Sequence, residues 1–550
     1  MKKILLLVLL YFFGVKSSSA QFLSSFQLVA TYNFAQIDSI YLANGIPTFI
    51  FPKRFNVNVY RIIYNTVSYD STATIASGAL LLPVNPPCNL PLISYQHGTE
   101  TVKLNVPSYL GGELVVGVAM STDGYAASLP DYLGLGDSPV PIHPYLHSQS
   151  EATATIDMLR ASRELIDSLG FGLNSQLFLA GYSLGAHATM AAQRLMEEQF
   201  PQEFSITASL PMSGPYDLSG SQARVIEVDS VYASSVYLPY IIFSYDQVYN
   251  LWAEDSSVFT SPYDTSLRPL FNGLNDLTVI NSQLPAIPND ILNPLLLDSF
   301  INDTNHYVRQ ALRENDLTDW MPVSPTKIMY CTADEQVVYQ NSIVAYNKFI
   351  QNGSTSVQLI NAGPFTHANC ATNTFINGKA WFDTLRTDYI VSDITVIDAT
   401  SSTSNDGQIA VNIIGGVPPY TITWSNGATT NPNIGLSSGL YILTVTDSTG
   451  CTRIDSIQVG PATGIFSLQG TDKIVAYYPN PVSDIVTVKV ISPNGGYITV
   501  TIFDIHGRIL FTEVMNGEKK IDVHEFSKGM YFIQARRAQG GVMNGRLIVE

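Results

Sequence analysis

The strongest constraint on this chain is the stretch Gly181-Tyr182-Ser183-Leu184-Gly185, read together with what flanks it. Gln176-Leu177-Phe178-Leu179-Ala180 before it is a short apolar run of strand type. The run from Ala186 to Glu198 after it is rich in Ala, Leu, Met and Glu, with apolar residues three and four apart, as a helix requires. Strand, Gly-x-Ser-x-Gly, helix is the setting of a nucleophile elbow. The glycines are needed because side chains in so tight a turn would clash with the flanking strand and helix. Ser183 is left at a helix N-terminus, where the dipole favours an anionic intermediate. The bare pattern is cheap. Gly435-Leu436-Ser437-Ser438-Gly439 fits it too, but Leu440 to Thr446 then alternates like a strand, so that match reads as a turn between strands. An ordinary helix-capping serine is the alternative for Ser183. The preceding strand favours the nucleophile.

Strands and helices alternate around the elbow. Phe55 to Val67 and Thr72 to Val84 read as antiparallel strands about a turn at Tyr69-Asp70-Ser71. A short apolar strand, Leu90 to Tyr95, runs into Gln96-His97-Gly98-Thr99-Glu100. A helix near Gly112 to Ser121, a strand near Tyr125 to Leu129 and a helix from Ser150 to Leu169 follow. Beyond the elbow come the apolar run Ile206 to Met212, a strand Lys327 to Thr332, a helix Tyr339 to Ile350, a strand Ser356 to Ile360 and a helix Thr374 to Arg386. This order implies an α/β fold, a mostly parallel sheet covered by helices with two leading antiparallel strands.

After an elbow serine, the acid and then the histidine follow in the chain. Of eight histidines, only His306 and His367 lie beyond the elbow helix and within this region. His306 sits in a polar stretch of an insertion, whereas His367 is read in a loop directly after a strand. Asp334 is expected at the end of a buried strand, with its neighbour Glu335 the second candidate. Loops at the carboxyl ends of parallel strands are where side chains converge. The expected triad is therefore Ser183, Asp334 and His367, with the amides of Leu184 and Thr99 as oxyanion donors. His97 and Asp131 are read as structural.

Four cysteines occur, Cys88, Cys331, Cys370 and Cys451, an even count that permits disulfides without naming the pairs. Cys331 lies three residues before Asp334 and Cys370 three after His367. A bridge between them would tie the acid and base loops together; two free thiols are the alternative.

Tyr95-Gln96-His97-Gly98-Thr99, Asp131-Tyr132-Leu133-Gly134-Leu135-Gly136, His143-Pro144-Tyr145-Leu146 and the elbow come in one order. Together they resemble the secretory lipase group of α/β-hydrolases over roughly residues 25 to 388. The resemblance implies hydrolysis of carboxylic esters by the triad named above, with no metal and no cofactor. Between Met212 and Lys327 lies an insertion of about a hundred residues, crowded with Tyr237, Tyr240, Phe243, Tyr245 and Trp252. Most of these must form a small helical core. An insertion at this point also suggests a cap, at about 219–322, whose underside meets an apolar acyl chain.

From Ile394 the texture turns to Ser, Thr, Asn, Gly and β-branched residues. Gly415-Gly416-Val417-Pro418-Pro419-Tyr420 to Gly427, then Gly439-Leu440-Tyr441 and Thr446 to Cys451, resemble an SprB-type repeat of Bacteroidetes surface proteins. Tyr478-Pro479-Asn480-Pro481, Ile502 to Arg508 and Lys528-Gly529-Met530-Tyr531-Phe532 resemble the C-terminal sorting domain of type IX secretion cargo. Both would be all-β sandwich modules without catalytic residues, and the second implies the type IX machinery as a partner. At the other end, Met1-Lys2-Lys3, the apolar run Ile4 to Phe13 and Ser18-Ser19-Ala20 read as a signal peptide, with no later run of adequate length to span a membrane.

The expected organisation is a signal peptide at 1–20, an α/β-hydrolase domain at 21–388, an SprB-type repeat at 389–460, a linker at 461–472 and a sorting domain at 473–550. A net charge of −17, with only 13% charged residues, argues against nucleic acid or an anionic membrane as partner. The expected function is a secreted serine ester hydrolase of lipase or esterase type. Two alternatives stand: a serine peptidase on the same fold, and a surface adhesin with a non-catalytic hydrolase scaffold.

Overall fold

A computed structural model describes residues 21–46, 51–387, 391–400, 403–460, 475–478, 480–490, 498–504, 508–537 and 542–550. The signal peptide at 1–20, the linker at 461–472, and Pro479 and 505–507 of the sorting motif lie outside these described residues. The chain divides into two compact units, Met1–Tyr389 and Ile390–Glu550.

The first unit is built on a nine-stranded sheet. Its strands are β1 (Leu23–Tyr32), β2 (Val57–Val67), β3 (Ala73–Pro83), β4 (Leu90–Gln96), β5 (Ala126–Pro130), β6 (Leu173–Tyr182), β7 (Ala208–Met212), β8 (Thr326–Tyr330) and β9 (Val357–Asn361). They lie in the order β1-β2-β3-β5-β4-β6-β7-β8-β9. β1, β2, β3 and β5 pair antiparallel, and from β5 onward every pairing is parallel. Two antiparallel strands were expected ahead of the parallel set; β1 makes a third. Its faces alternate poorly because it is an edge strand with most side chains open to solvent, so it lacks the two-residue hydrophobic signal.

Helices cover both faces: α1 (Phe34–Asn44), α2 (Leu114–Thr122), α3 (Ser148–Ser168), α4 (Leu184–Gln199), then α5 (Arg224–Glu227), α6 (Tyr237–Tyr249), α7 (Tyr263–Ser266), α8 (Leu277–Asn281), α9 (Pro294–Asn302) and α10 (Tyr307–Glu314) in the insertion, and finally α11 (Gln340–Gln351) and α12 (His367–Leu385). β6 shows why both faces are needed. Leu177 and Leu179 pack with Ile156 of α3 and Met190 of α4, while Phe178 and Ala180 pack with Val118 of α2 and Phe382 of α12. Successive strand residues point to opposite faces, so a strand apolar at every position is stable only between two helical layers. Each large side chain buried this way contributes roughly 1.5–3 kcal/mol.

The chain crosses between β5, on one side of β4, and β6, on the other, through α3. Loops leaving the carboxyl ends of β4 and β6 thus meet at a topological switch point, the usual position of a ligand crevice in such sheets. Helices α5 to α10 pack into a third core, which takes in Tyr132, Tyr145, Leu146, Leu184 and Ala188 from the elements around that crevice.

Two boundaries differ from the sequence reading. β8 stops at Tyr330, so Asp334 lies in the loop beyond it rather than on the strand. Helix α12 begins at His367, two turns before Thr374, so His367 opens a helix and is not a loop residue. Asn369, Thr372 and Asn373 are weak helix formers, and that first turn is held by tertiary contacts described below.

The second unit consists of small antiparallel sheets. Strands β10 (Val391–Ile397), β11 (Gly407–Ile414), β12 (Thr421–Trp424), β13 (Asn433–Leu436), β14 (Gly439–Thr446) and β15 (Thr452–Val459) form the sheets β10-β11-β13 and β12-β14-β15. Ser437 and Ser438 do join two strands there. Strands β16 (Val475–Tyr478), β17 (Ile485–Val490), β18 (Ile498–Phe503), β19 (Ile509–Met515), β20 (Glu518–Asp522), β21 (Gly529–Arg537) and β22 (Val542–Val549) form β16-β17-β20 and β19-β18-β21-β22 around Val486, Val488, Val500, Ile533 and Leu547.

Candidate active site

Ser183 sits between β6 and α4 with φ 59° and ψ −121°, a conformation that side chains rarely adopt. The strand holds it there through the Ser183 N–H, which donates to the Met212 carbonyl of β7 at 2.9 Å. The glycines on either side have no room for side chains. A Cβ on Gly181 would strike the Gly185 carbonyl, and one on Gly185 would strike the Gln96 carbonyl. The Ser183 side chain makes no capping bond to α4, so the Leu184 and Gly185 N–H groups at the start of the helix have no acceptor among the described residues. Its side chain is nearly enclosed, the residue being 7% exposed.

The acid loop and the start of α12 come together beside the elbow. His367 Nδ1 lies 2.8 and 2.9 Å from the two carboxylate oxygens of Asp334, whose side chain is fully buried. Asp334 Oδ1 also accepts the Gln336 and Val337 backbone N–H groups at 3.0 and 2.9 Å. Those bonds fold the loop about the carboxylate and fix its direction. Glu335 turns the other way: its carboxylate accepts the His367 backbone N–H at 3.0 Å. The ring therefore faces Asp334, and the open N-terminus of α12 faces Glu335. Cys331 and Cys370 are joined in a disulfide, with Cα atoms 6.0 Å apart. The bridge pins the first turn of α12 to the end of β8.

Tyr182 links the elbow to this pair. Its hydroxyl donates to the His367 carbonyl at 2.5 Å, and the two rings are 4.9 Å apart. No direct hydrogen bond joins Ser183 to His367 among the described residues. With Nδ1 occupied by Asp334, Nε2 is the nitrogen left to face a substrate or the serine.

The loop after β4 closes over the elbow. The carbonyls of Gln96 and His97 press on Gly185, and the Tyr132 hydroxyl donates to the His97 carbonyl at 3.1 Å. Thr99 Oγ1 lies 3.2 Å from the Tyr145 hydroxyl. Neither the Leu184 N–H nor the Thr99 N–H donates to an acceptor among the described residues. His97 directs Nδ1 at the neighbouring Gly98 carbonyl, 2.8 Å away, and burial pushes its pKa down to about 4. It stays neutral and is turned into the loop. Asp131 accepts the Ser77 hydroxyl at 2.6 Å and the Ser108 N–H at 3.1 Å, and burial pushes its carboxyl up to about 6. His306 lies in the insertion, where its ring accepts the Val308 N–H at the start of α10, at 3.3 Å.

In front of Ser183 and Leu184 is a cavity walled by the insertion, with Leu218, Ile241, Trp252, Leu296, Phe300 and Leu312 in its lining. Its walls are overwhelmingly apolar. Tyr232 and Tyr237 tie the insertion to the acid loop: Tyr237 donates to the Gln336 side chain at 2.7 Å, and Tyr232 bonds the Gln336 carbonyl. The sequence does not show these ties, the Tyr182 link or the Glu335 contact, because each joins residues about a hundred or more positions apart or depends on which way a loop carboxylate turns. Among the described residues, no group of His, Cys, Asp and Glu is arranged to hold a metal ion.

Residues 103–219 match the secretory lipase family, 402–429 the SprB repeat and 476–550 the secretion system C-terminal sorting domain. No curated protein matches the chain. Among solved structures, a ligand-bound form of the rice cell wall degrading esterase LipA from Xanthomonas oryzae is 31% identical; the match covers 66% of this chain and 96% of that one, with a TM-score of 0.58. A Legionella pneumophila protein inferred to be a hydrolase is 26% identical, with 66% and 98% covered and a TM-score of 0.63. The sorting domain and the lipase match make this a secreted or cell-surface protein. None of the described helices is long and apolar enough to cross a membrane. The chain thus belongs to the secretory lipase family of α/β-hydrolases, with an SprB repeat and a type IX sorting domain behind the hydrolase unit.

Proposed function

We propose that this protein hydrolyses carboxylic esters with an apolar acyl part, through a Ser183-His367-Asp334 triad and an acyl-enzyme. The observation that carries the reading is one apolar cavity with Ser183 in its wall, beside an Asp334–His367 pair. His367 Nε2 takes the proton of Ser183 as Oγ attacks the ester carbonyl. The tetrahedral oxyanion is met by the Leu184 and Thr99 N–H groups, and the α4 N-terminus adds its dipole. As the C–O bond breaks, His367 returns the proton to the departing alkoxide, which leaves as an alcohol. A water molecule then attacks the acyl-enzyme as His367 takes its proton; when the acyl C–O bond breaks, His367 returns that proton to Ser183 Oγ, releasing the acid and restoring the enzyme. Asp334 accepts the Nδ1–H throughout, holding the tautomer and stabilising the imidazolium. LipA from Xanthomonas oryzae is named as a cell-wall-degrading esterase, which supports an ester as substrate here.

The test is a panel of aryl esters of rising acyl length beside dipeptidyl and prolyl amides. Each methylene that enters the cavity contributes up to about 0.8 kcal/mol, roughly fourfold in kcat/KM, until the cavity is full. Faster cleavage of a peptide amide than of any ester would make the protein a peptidase instead.

A further inference from the structure

The sequence gives no hint of what aims the second oxyanion donor, and the structure supplies a candidate. Glu113 precedes α2, and its carboxylate reaches back to the chain leaving β4. One oxygen accepts the Tyr95 phenol at 2.5 Å, and the other accepts the Gly98 N–H at 3.2 Å. Tyr95 is buried within β4, and Gly98 stands between His97 and Thr99. The fit is close, since a Cβ on Gly98 would come within 2.9 Å of the Glu113 carboxylate.

Gly98 is held at both of its backbone polar groups. Glu113 accepts the N–H, which belongs to the His97–Gly98 peptide, and His97 Nδ1–H donates at 2.8 Å to the carbonyl, which belongs to the Gly98–Thr99 peptide. In a trans peptide the next N–H points opposite to the carbonyl, so fixing the Gly98 carbonyl fixes the direction of the Thr99 N–H. That N–H is one of the two donors left open over the elbow. We infer that Glu113 is a positioning residue of the reaction: by fixing the His97–Gly98 peptide it sets the place of Gly98, from which the next peptide, held by His97, aims the Thr99 N–H at the oxyanion. The inference rests on the ester-hydrolase reading of the site. Burial raises the Glu113 pKa above the usual range, while the Tyr95 and Gly98 donors favour its ionised form.

The experiment uses the full-length protein and compares Glu113→Ala, Glu113→Gln and Glu113→Asp, with Ser183→Ala as reference. Esters of one acyl length give kcat and KM, and an alkyl boronic acid, which binds serine as a tetrahedral anion, gives an inhibition constant. Glu113→Ala is expected to lower kcat by about 10–100-fold, with KM within about twofold, and to weaken the boronic acid by the same factor as kcat/KM. Glu113→Gln keeps an acceptor oxygen in place and should retain kcat within about threefold. A merely structural role would move KM and thermal stability without this split. If Glu113→Ala does not fold, the other two decide: Glu113→Asp withdraws the acceptor by one methylene, and kcat as high as for Glu113→Gln overturns the inference. Normal kcat in Glu113→Ala overturns it as well. Turnover surviving in Ser183→Ala would instead remove the triad reading on which the inference stands.

Discussion

Replacing Cys331 and Cys370 together by alanine removes the disulfide that ties the acid loop to the helix that carries His367. The two cysteines are 39 residues apart. In the chain-entropy model, closing a loop of that length withdraws about 13 cal/mol/K from the unfolded chain, or about 4 kcal/mol at 25 °C. Both residues are fully buried, so losing two sulfur atoms adds a packing loss in the same direction. The hydrolase unit has roughly 370 residues after the expected signal peptide, and unfolding gains about 2.1 cal/mol/K per residue. The melting temperature should therefore fall by about 5 °C. Far-UV circular dichroism of the full-length protein, wild type against C331A/C370A, measures this. Ester turnover followed along the same ramp should fail at a lower temperature in the variant, because the bridge holds the turn on which His367 sits. A shift below about 1 °C would refute the constraint argument. Loss of turnover at 25 °C with unchanged melting would refute it differently, making the bridge a device for alignment and not for stability.

Other expectations follow from named contacts. Asp334→Ala should lower kcat by about ten-thousand-fold while Glu335→Ala stays within about tenfold, since Asp334 meets the ring and Glu335 only the His367 N–H; the reverse ranking in ester assays would exchange their roles. Ile241→Trp should shorten the cavity, so that kcat/KM for long acyl chains drops by about fourfold for every methylene excluded while short chains are spared. For pH, burial pushes His143 down to about 3, and its Nε2 has no hydrogen-bond partner among the described residues. Its folded pKa lies below its unfolded value, so the unfolded chain binds the proton first and stability is lost as pH falls from 6.5 toward 3. Between pH 7 and 4 this amounts to about 3 kcal/mol. Asp131, raised to about 6, works in the opposite sense in wild type and variant alike and cancels from the comparison. Melting temperatures should thus show His143→Gln losing less stability than wild type on acidification; equal losses would place the linkage elsewhere.

How much of this was legible beforehand depends on the range of the interaction. The elbow could be read because a strand period, two glycines and a helix period sit within about twenty residues and agree with one another. The central strands could be read because an apolar run flanked by turns admits few other structures. β1 could not, since an edge strand with most side chains exposed carries no such signal. The first two turns of α12 were hidden for a different reason. Asn369, Thr372 and Asn373 do not favour a helix, and what forms it is the disulfide at Cys370 and the Glu335 carboxylate on the His367 N–H. Within the site, the order of Ser183, Asp334 and His367 came from the chain, but the orientation of Asp334 toward the ring and Glu335 toward the backbone came only from the folded loop. Tyr182, Tyr237 and Glu113 were silent because a tyrosine or glutamate in a sequence does not say which distant carbonyl or amide it will meet.

The central claim, that Ser183 is the nucleophile of an ester hydrolase, is tested most directly by covalent capture. An alkylphosphonate 4-nitrophenyl ester lets the serine oxygen form a bond to phosphorus as nitrophenolate leaves, and nothing in the product can be hydrolysed by the deacylation step. Full-length protein should take up one phosphonyl group, with nitrophenolate release and loss of ester turnover following one time course. Peptide mass mapping should place the added mass on Ser183. Ser183→Ala should remain unlabelled, and His367→Ala should label far more slowly. Stoichiometric labelling at another residue, or full ester turnover in protein labelled at Ser183, would contradict the account.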